Sequence, residues 1–229
     1  MRIVYKIIRN TIVLFLAVTI LWVVALRFIP VLFTPLMFIR LAEQAKEGKD
    51  MKSKHSWTSY KNMPYYAATA VIAAEDQNFV KHHGFDFKAI VAAAQHNHEG
   101  GKMRGGSTIS PQTAKNVFLW PGRSWVRKGF ETYFTCLIEL MWPKERIIEV
   151  YLNSIEMGDG IYGIEAAADI YWNCDTEDMT RMQCATLAAI LPNPRKYSAE
   201  NPGPYVRKRA NSIFRSMKFL ERNGYALQK

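Results

Sequence analysis

An uncharged apolar run near the amino terminus limits what this chain can become. Residues 11 to 26, Thr-Ile-Val-Leu-Phe-Leu-Ala-Val-Thr-Ile-Leu-Trp-Val-Val-Ala-Leu, hold no charged side chain. At ~1.5 Å per residue the run spans about 24 Å as a helix, slightly short of a ~30 Å hydrocarbon layer. Arg9 and Arg27 flank it, and long basic side chains snorkel to the interfaces to make up the difference. A cleaved signal peptide is the rival reading. Against it, no small-x-small cleavage site follows, and apolar residues continue through Phe38 and Ile39.

The expected layout is therefore a short tail at 1–10, a single uncleaved span at 11–29, and one domain beyond. Arg2, Lys6 and Arg9 favour a cytoplasmic amino terminus, a bias weakened by Arg27 and Arg40 on the other side. Pro30 and Pro35 break the second apolar stretch, 28 to 39, which reads as an interfacial segment. Polar, lysine-rich residues 43 to 59 read as a linker, so 30–60 forms the connection and 61–229 the domain.

The formal charge of +10 calls for an anionic partner. Nucleic acid, an anionic membrane surface and a phosphorylated substrate all qualify. No basic stretch is interleaved with a recognisable nucleic-acid module, so nucleic acid ranks last. Cys136, Cys174 and Cys184 have neither CxxC spacing nor histidine partners at metal-ligand spacing. Buried free thiols are expected, with a Cys174–Cys184 bridge as the alternative.

From residue 61 the pattern is helical. Helices are expected over 65–80, 86–99, 111–119, 125–141, 143–153, 161–172, 177–191 and 204–223. Asp86 and Ser124 read as caps, Pro143 as a first-turn residue, and Gly100 and Gly224 as terminators. Strand-like alternation is scarce, so the domain is expected to be all-α.

Five constellations carry chemistry. In Glu75-Asp76-Gln77-Asn78-Phe79, helical spacing puts Val71, Ile72, Glu75 and Phe79 on one face. A carboxylate on an apolar stripe is usually a helix-end residue turned to water; partial desolvation would instead raise its pKa and make it a general base. Asp76 points ~100° away, a structural position. His82 and His83, ahead of Gly84, read as helix-end residues rather than metal ligands. Gly105 to Ser110, then Pro111, Gln112 and Lys115, form a glycine- and hydroxyl-rich loop feeding a helix amino terminus, a ready anion site. It lacks the Gly-Lys-Ser/Thr ending of a nucleotide P-loop. Arg127 and Glu131 stand at i and i+4, where a plain helix salt bridge is the ordinary reading. Lys144 to Asn153 reads as an amphipathic helix, and Gly160 to Ala168 as close helix packing.

In this order along one chain, these segments resemble the five motifs of the peptidoglycan glycosyltransferase family, from about residue 64 to 190. The resemblance implies a mainly α, lysozyme-like glycosyltransferase domain preceded by a single transmembrane helix. It implies an inverting enzyme that polymerises lipid II into β-1,4-linked strands and releases undecaprenyl pyrophosphate. Glu75 would be the base and Glu131 the second important carboxylate. Asp76, Phe79, His82, Gly84, Gly106, Ser107, Thr108, Ser110, Gln112, Lys115, Arg123, Arg127 and Lys128 would bind substrate. No cofactor is required; a divalent cation, Mg or Mn, at the diphosphate is the option left open. The partners implied are lipid II, the growing glycan chain, the bilayer, and other cell-wall synthesis and division proteins. The location implied is the bacterial inner membrane, with the domain on its periplasmic side and a lipid-facing flap near residues 86–108. No Ser-x-x-Lys or Lys-Thr-Gly occurs, so no penicillin-binding transpeptidase module is expected. Pro111 departs from the family's usual glutamine, and Phe130 stands where some relatives carry lysine.

Two other readings compete. A lytic enzyme on the same scaffold would need an acid for the glycosidic oxygen and has little use for clustered cations. A membrane-tethered scaffold with a decayed site is the non-enzymatic alternative, invited only by Pro111.

Overall fold

The computed structural model describes residues 1–100, 106–122 and 124–227. The amino-terminal helix α1 runs unbroken over Arg2–Leu26, so residues 2–10, expected as a tail, form its first turns. It ends at Leu26 rather than at 29. It is long and apolar enough to cross a membrane.

The carboxy-terminal half of α1 is also a packing surface. Phe15, Thr19, Trp22, Val23 and Leu26 recur at helical spacing and meet α6 (Trp125–Met141) and its surroundings. Trp22 meets Phe118 edge-on with ring centroids 5.2 Å apart, the Thr19 hydroxyl lies 2.7 Å from that of Tyr133, and Trp142 Nε1 donates to Val23 O at 2.8 Å. Arg146 closes the end of the helix. It donates to Leu26 O at 2.7 Å and Ile29 O at 2.5 Å, with its charge at the negative end of the α1 dipole. Its other nitrogen pairs with Glu149 at 2.6 Å, and its guanidinium lies 5.1 Å from the centre of the Trp57 ring.

Arg146→Met keeps the stem and removes these charge-assisted bonds. The expected result is a thermal midpoint lower by roughly 5 °C or more in detergent, read from intrinsic tryptophan fluorescence. An unchanged midpoint would mean that the remaining contacts of α1, apolar and polar, hold anchor and domain together without Arg146.

The connecting segment is more structured than expected. Pro35 does not break a helix but opens one: Thr34 caps α2 (Pro35–Lys46), with its side chain accepting from Met37 N and proline in the first turn. The supposed linker then supplies β1 (Lys54–His55). β1 pairs in parallel with β3 (Ile161–Tyr162), which pairs antiparallel with β2 (Glu156–Gly158), giving the order β1-β3-β2. This small sheet corrects the all-α expectation for the domain. It was hidden because each strand has only two or three residues and its partners are far apart in sequence.

The core helix is α3 (Tyr65–Glu75), where Ala67 to Ala73 are all buried. It packs against α9 (Arg181–Ile190) and α10 (Pro204–Arg222). The small alanines let those helices approach closely, so α3 has no polar face and the expected one-sided stripe is absent. The helix stops at Glu75 instead of reaching 80; Phe79 lies in the following turn and is fully buried.

Three further helices build the front of the domain: α4 (Phe87–His98), α5 (Ile109–Phe118) and α7 (Lys144–Ser154). α5 starts two residues earlier than expected, with Thr108 rather than Ser110 at its cap position. Pro111 therefore sits third in the helix. It is still within the first turn, where the missing N–H costs no helical hydrogen bond, and Gln112 N makes the first long bond, to Thr108 O at 3.2 Å. Ser124 and Asp86 cap α6 and α4 as expected, while Pro143 precedes α7 as its cap residue.

The expected helix over 161–172 is shortened to α8 (Ile164–Trp172) because Ile161 and Tyr162 belong to β3. Between them Gly163 adopts φ +82°, and a Cβ there would lie 2.6 Å from Asn153 O, so only glycine fits. α9 begins at Arg181 behind a capping box of Thr180 and Gln183, after a 3₁₀ turn at Thr176–Asp178. All three cysteines are free thiols, and only Cys184 is fully buried.

Candidate active site

Glu75 is the last residue of α3. The helix delivers its carboxylate to a junction between two clefts. One, of about 350 Å³, is lined by Ala74, Glu75, Asn78, Asp86, Gly106 and Ser107 among others. The second, of about 410 Å³, is lined by Gln112, Lys115, Asn116, Trp120 and Arg127, with Arg40 and Glu156 among its other residues. Gln112 joins them: its Nε2 donates to Glu75 Oε2 at 3.1 Å, and its Oε1 accepts from the Tyr151 hydroxyl at 3.2 Å.

Burial raises the Glu75 pKa above the usual carboxylate value, against the opposing effects of the Gln112 hydrogen bond and the Arg209 charge. A position at a helix carboxy terminus also disfavours a negative charge. Arg209 of α10 approaches Glu75 Oε1 at 3.3 Å. The side chain of Glu75 retains 19% exposure, so it is reachable from the cleft.

Lys115 and Arg127 line the second cleft. Arg127 is buried and donates to Glu131 Oε2 at 2.5 Å, and Lys128 Nζ holds the other oxygen. Lys115 projects from α5 into the same cleft and makes no side-chain hydrogen bond among the described residues. Burial pulls its pKa down; Glu131 opposes this, while Arg127 and Lys128 add to it. An ammonium without a hydrogen-bonded partner among the described residues, facing a cleft beside a guanidinium, favours an anion there.

Several residues expected at substrate stand behind the clefts and shape them. Asp76 accepts from Ile109 N at 3.2 Å, filling the capping role at the start of α5, and its other oxygen lies 2.8 Å from His82 Nε2. Thr108 donates to Gly84 O, and Ser110, fully buried, donates to Glu139. Lys144 donates to Glu139 Oε1 at 2.8 Å and His82 O at 2.7 Å, over the face of Phe79. Gly84 has φ +88°, and a Cβ there would come within 2.9 Å of Thr135. Of the expected binding set, Lys128 lines neither cleft and is held on Glu131 beside Arg127, and Phe79, His82, Gly84 and Ser110 line neither cleft. Their polar groups, where present, are spent on holding α3, α5 and α6 together. Glu75, Asp76, Gly106, Ser107 and Thr108 line the first cleft, and Gln112, Lys115 and Arg127 the second. Gly105 and Arg123 lie outside the described residues.

Sequence reasoning missed Arg209, Tyr151, Arg40 and Glu156. Arg209 sits in a charge-dense helix where nothing marks it out, and Tyr151 reads there as one more apolar position. Arg40 lies in a segment read as interfacial. Helix α4 turns Phe87, Ile90 and Val91 to solvent, an outward apolar face within the segment expected to meet lipid. Among the described residues, no group of three or more acidic, histidine or cysteine side chains comes together to hold a metal ion.

The chain belongs to the Transglycosylase family, whose model matches residues 42–218. It is 51% identical over 212 residues to a biosynthetic peptidoglycan transglycosylase of Bacteroides thetaiotaomicron, covering 93% of this chain and 86% of that one. Proteins of the same description from Pseudomonas aeruginosa and Xanthomonas campestris are each 48% identical, covering 92% and 87% of their own lengths.

Proposed function

We propose that this chain polymerises lipid II into β-1,4-linked glycan strands with release of undecaprenyl pyrophosphate, and that Glu75 is the base. The observation that carries this reading is a half-buried carboxylate at the meeting of two clefts, only one of which is lined by clustered cations. A glycosyl acceptor in the first cleft would present its 4-hydroxyl to Glu75. Glu75 takes the hydroxyl proton, the oxygen forms a bond to the anomeric carbon of the donor, and the carbon–oxygen bond to the diphosphate breaks. The leaving diphosphate carries away the bonding electron pair, and Lys115, Arg127 and Lys128 neutralise the charge that develops on it. It needs little protonation, so no second acid is required.

Both oxygens of Glu131 are engaged by Arg127 and Lys128. Glu131 is thereby committed to those cations rather than to a divalent ion, and it would act by fixing them. α1 would tether the enzyme to the inner membrane with the domain on the periplasmic side, where a substrate with a lipid tail stays in the bilayer throughout.

Purified full-length protein in detergent should convert labelled lipid II to long strands and should leave a peptidoglycan gel unbroken. Gel clearing without polymer would replace synthesis with lysis.

A further inference from the structure

Three basic residues follow one another on α10: Arg207, Lys208 and Arg209. Arg207 and Lys208 are exposed, whereas Arg209 is partly buried. The difference follows from the helix. Val206, Ala210, Ile213 and Met217 recur at helical spacing and are buried where α10 packs on α3 and α9. Arg209 stands at the shoulder of that stripe, beside Ala210, and is carried against the last residue of α3. Its terminal nitrogen donates to Glu75 Oε1 at 3.3 Å.

Glu75 lines the first cleft, but Arg209 lines neither cleft. The guanidinium therefore reaches the carboxylate through the contact between α3 and α10 and not from the substrate side. Gln112 Nε2 holds the other oxygen at 3.1 Å. One donor on each oxygen fixes the plane of the carboxylate, and each oxygen keeps a lone pair for an incoming hydroxyl. Of the two donors only Arg209 carries a charge, which favours the ionised carboxylate against its burial and its place at a helix carboxy terminus.

The other groups around Glu75 do not duplicate this role. Asp76 beside it and Asp86, which lines the same cleft from the start of α4, are charges of like sign. Tyr151 of α7 is fully buried and reaches Glu75 only through Gln112, with its hydroxyl proton held on by burial. Lys115 of α5 is an opposite charge, but on the proposed reading it answers to the diphosphate once substrate is bound. Arg209 is then the counter-charge that stays with the base throughout.

We propose that Arg209 is a positioning residue for the base, holding the Glu75 carboxylate ionised and in plane from behind the clefts. Helix α10, far from Glu75 in sequence, thereby sets the lower pH limit of the reaction. This inference rests on the reading of Glu75 as the base.

The test is the pH dependence of lipid II polymerisation by full-length wild type, Arg209→Met and Arg209→Lys, with thermal midpoints measured in the same detergent. An opposite charge at this distance moves a carboxyl pKa by ~1–3 units, and the 29% exposure of the Arg209 side chain puts it at the lower end. Arg209→Met should therefore shift the acid limb upward by about one pH unit. Below the limb the rate should fall about tenfold, while the rate near the optimum is largely kept. The loss should appear in kcat with KM little changed, because Arg209 does not line the substrate clefts. Arg209→Lys restores the charge without the planar fork, and its limb should return most of the way. An unmoved limb in Arg209→Met would overturn the proposal, as would a uniform loss at every pH, which would make Arg209 a brace between α3 and α10. A limb in Arg209→Lys as high as that of Arg209→Met would overturn it too. Failure of wild type to polymerise lipid II, or wild-type rates from Glu75→Gln, would instead sink the reading of the base itself.

Discussion

Glu75→Gln should abolish strand synthesis while the protein becomes no less stable. The loss should be on the order of 10³-fold or more in kcat, at the upper end of what a positioned base contributes. Glutamine keeps the shape of the side chain and its contact with Gln112, so the fold and membrane attachment should be preserved. The stability half follows from the direction of the pKa shift. Burial raises the carboxyl pKa, meaning the folded protein favours the protonated form. The stabilisation belonging to that form is complete below the ordinary carboxyl pKa and is lost as pH rises through the raised value. At neutral pH the ionised group is therefore a cost, which glutamine removes. Arg209 loses a counter-charge in the exchange, but its side chain is 29% exposed and can turn to water.

The measurements are initial rates with lipid II and a thermal midpoint in the same detergent. The acid limb of the wild-type rate profile should lie above the range of an ordinary glutamate, since the base must be ionised to work. Residual activity near wild type would move the base role to another carboxylate.

Lys115→Met should cost about 10²–10³ in kcat, comparable to removing one donor from a site where charge develops. Among the described residues, Lys115 differs from its neighbours in having no carboxylate hydrogen-bonded to it. Arg127 and Lys128 are already committed to Glu131, so part of their charge is answered before substrate arrives. Among the described residues, Lys115 is the cleft cation left free, and on the proposed reading it is the one to meet the diphosphate. Burial depresses its pKa, so the ammonium is a cost to the folded state below that pKa, and methionine in its place should not lower the thermal midpoint. The depressed pKa also sets a limit at high pH: wild-type activity should fall on the alkaline side earlier than an ordinary lysine would allow. Lys115→Arg should restore much of the rate and push that alkaline limb upward. A methionine variant with unchanged kcat would place the diphosphate elsewhere.

Legibility differed between parts of the site. Ser124, Asp86 and the Arg127–Glu131 pair were readable because each depends on residues three or four apart on one helix, a spacing that sequence carries directly. The end of α3 was not. Asp76 leaves helical geometry because its carboxylate is taken by Ile109 N, thirty-three residues away, and by His82. No local rule contains that competition, and it decides where Glu75 points. The small sheet escaped for a similar reason: β1 is two residues in a lysine-rich stretch, and its partner β3 follows more than a hundred residues later.

From sequence alone came the apolar helix, the helical character of the domain, and the choice of Glu75 and the Lys115–Arg127–Lys128 cations. The first two rest on residue type and short-range spacing, while the roles of Glu75 and the cations came from the resemblance of five motifs, taken in order, to a known family. Tertiary structure decided that Phe79, His82, Gly84 and Ser110 brace the site from behind, and that Gln112 sits between two clefts. It also decided that α2 brings Arg40 to the second cleft, within ion-pair distance of Glu156. Those are matters of which groups find partners across the fold and which are left facing an open cleft. The balance depends on distances between segments far apart along the chain.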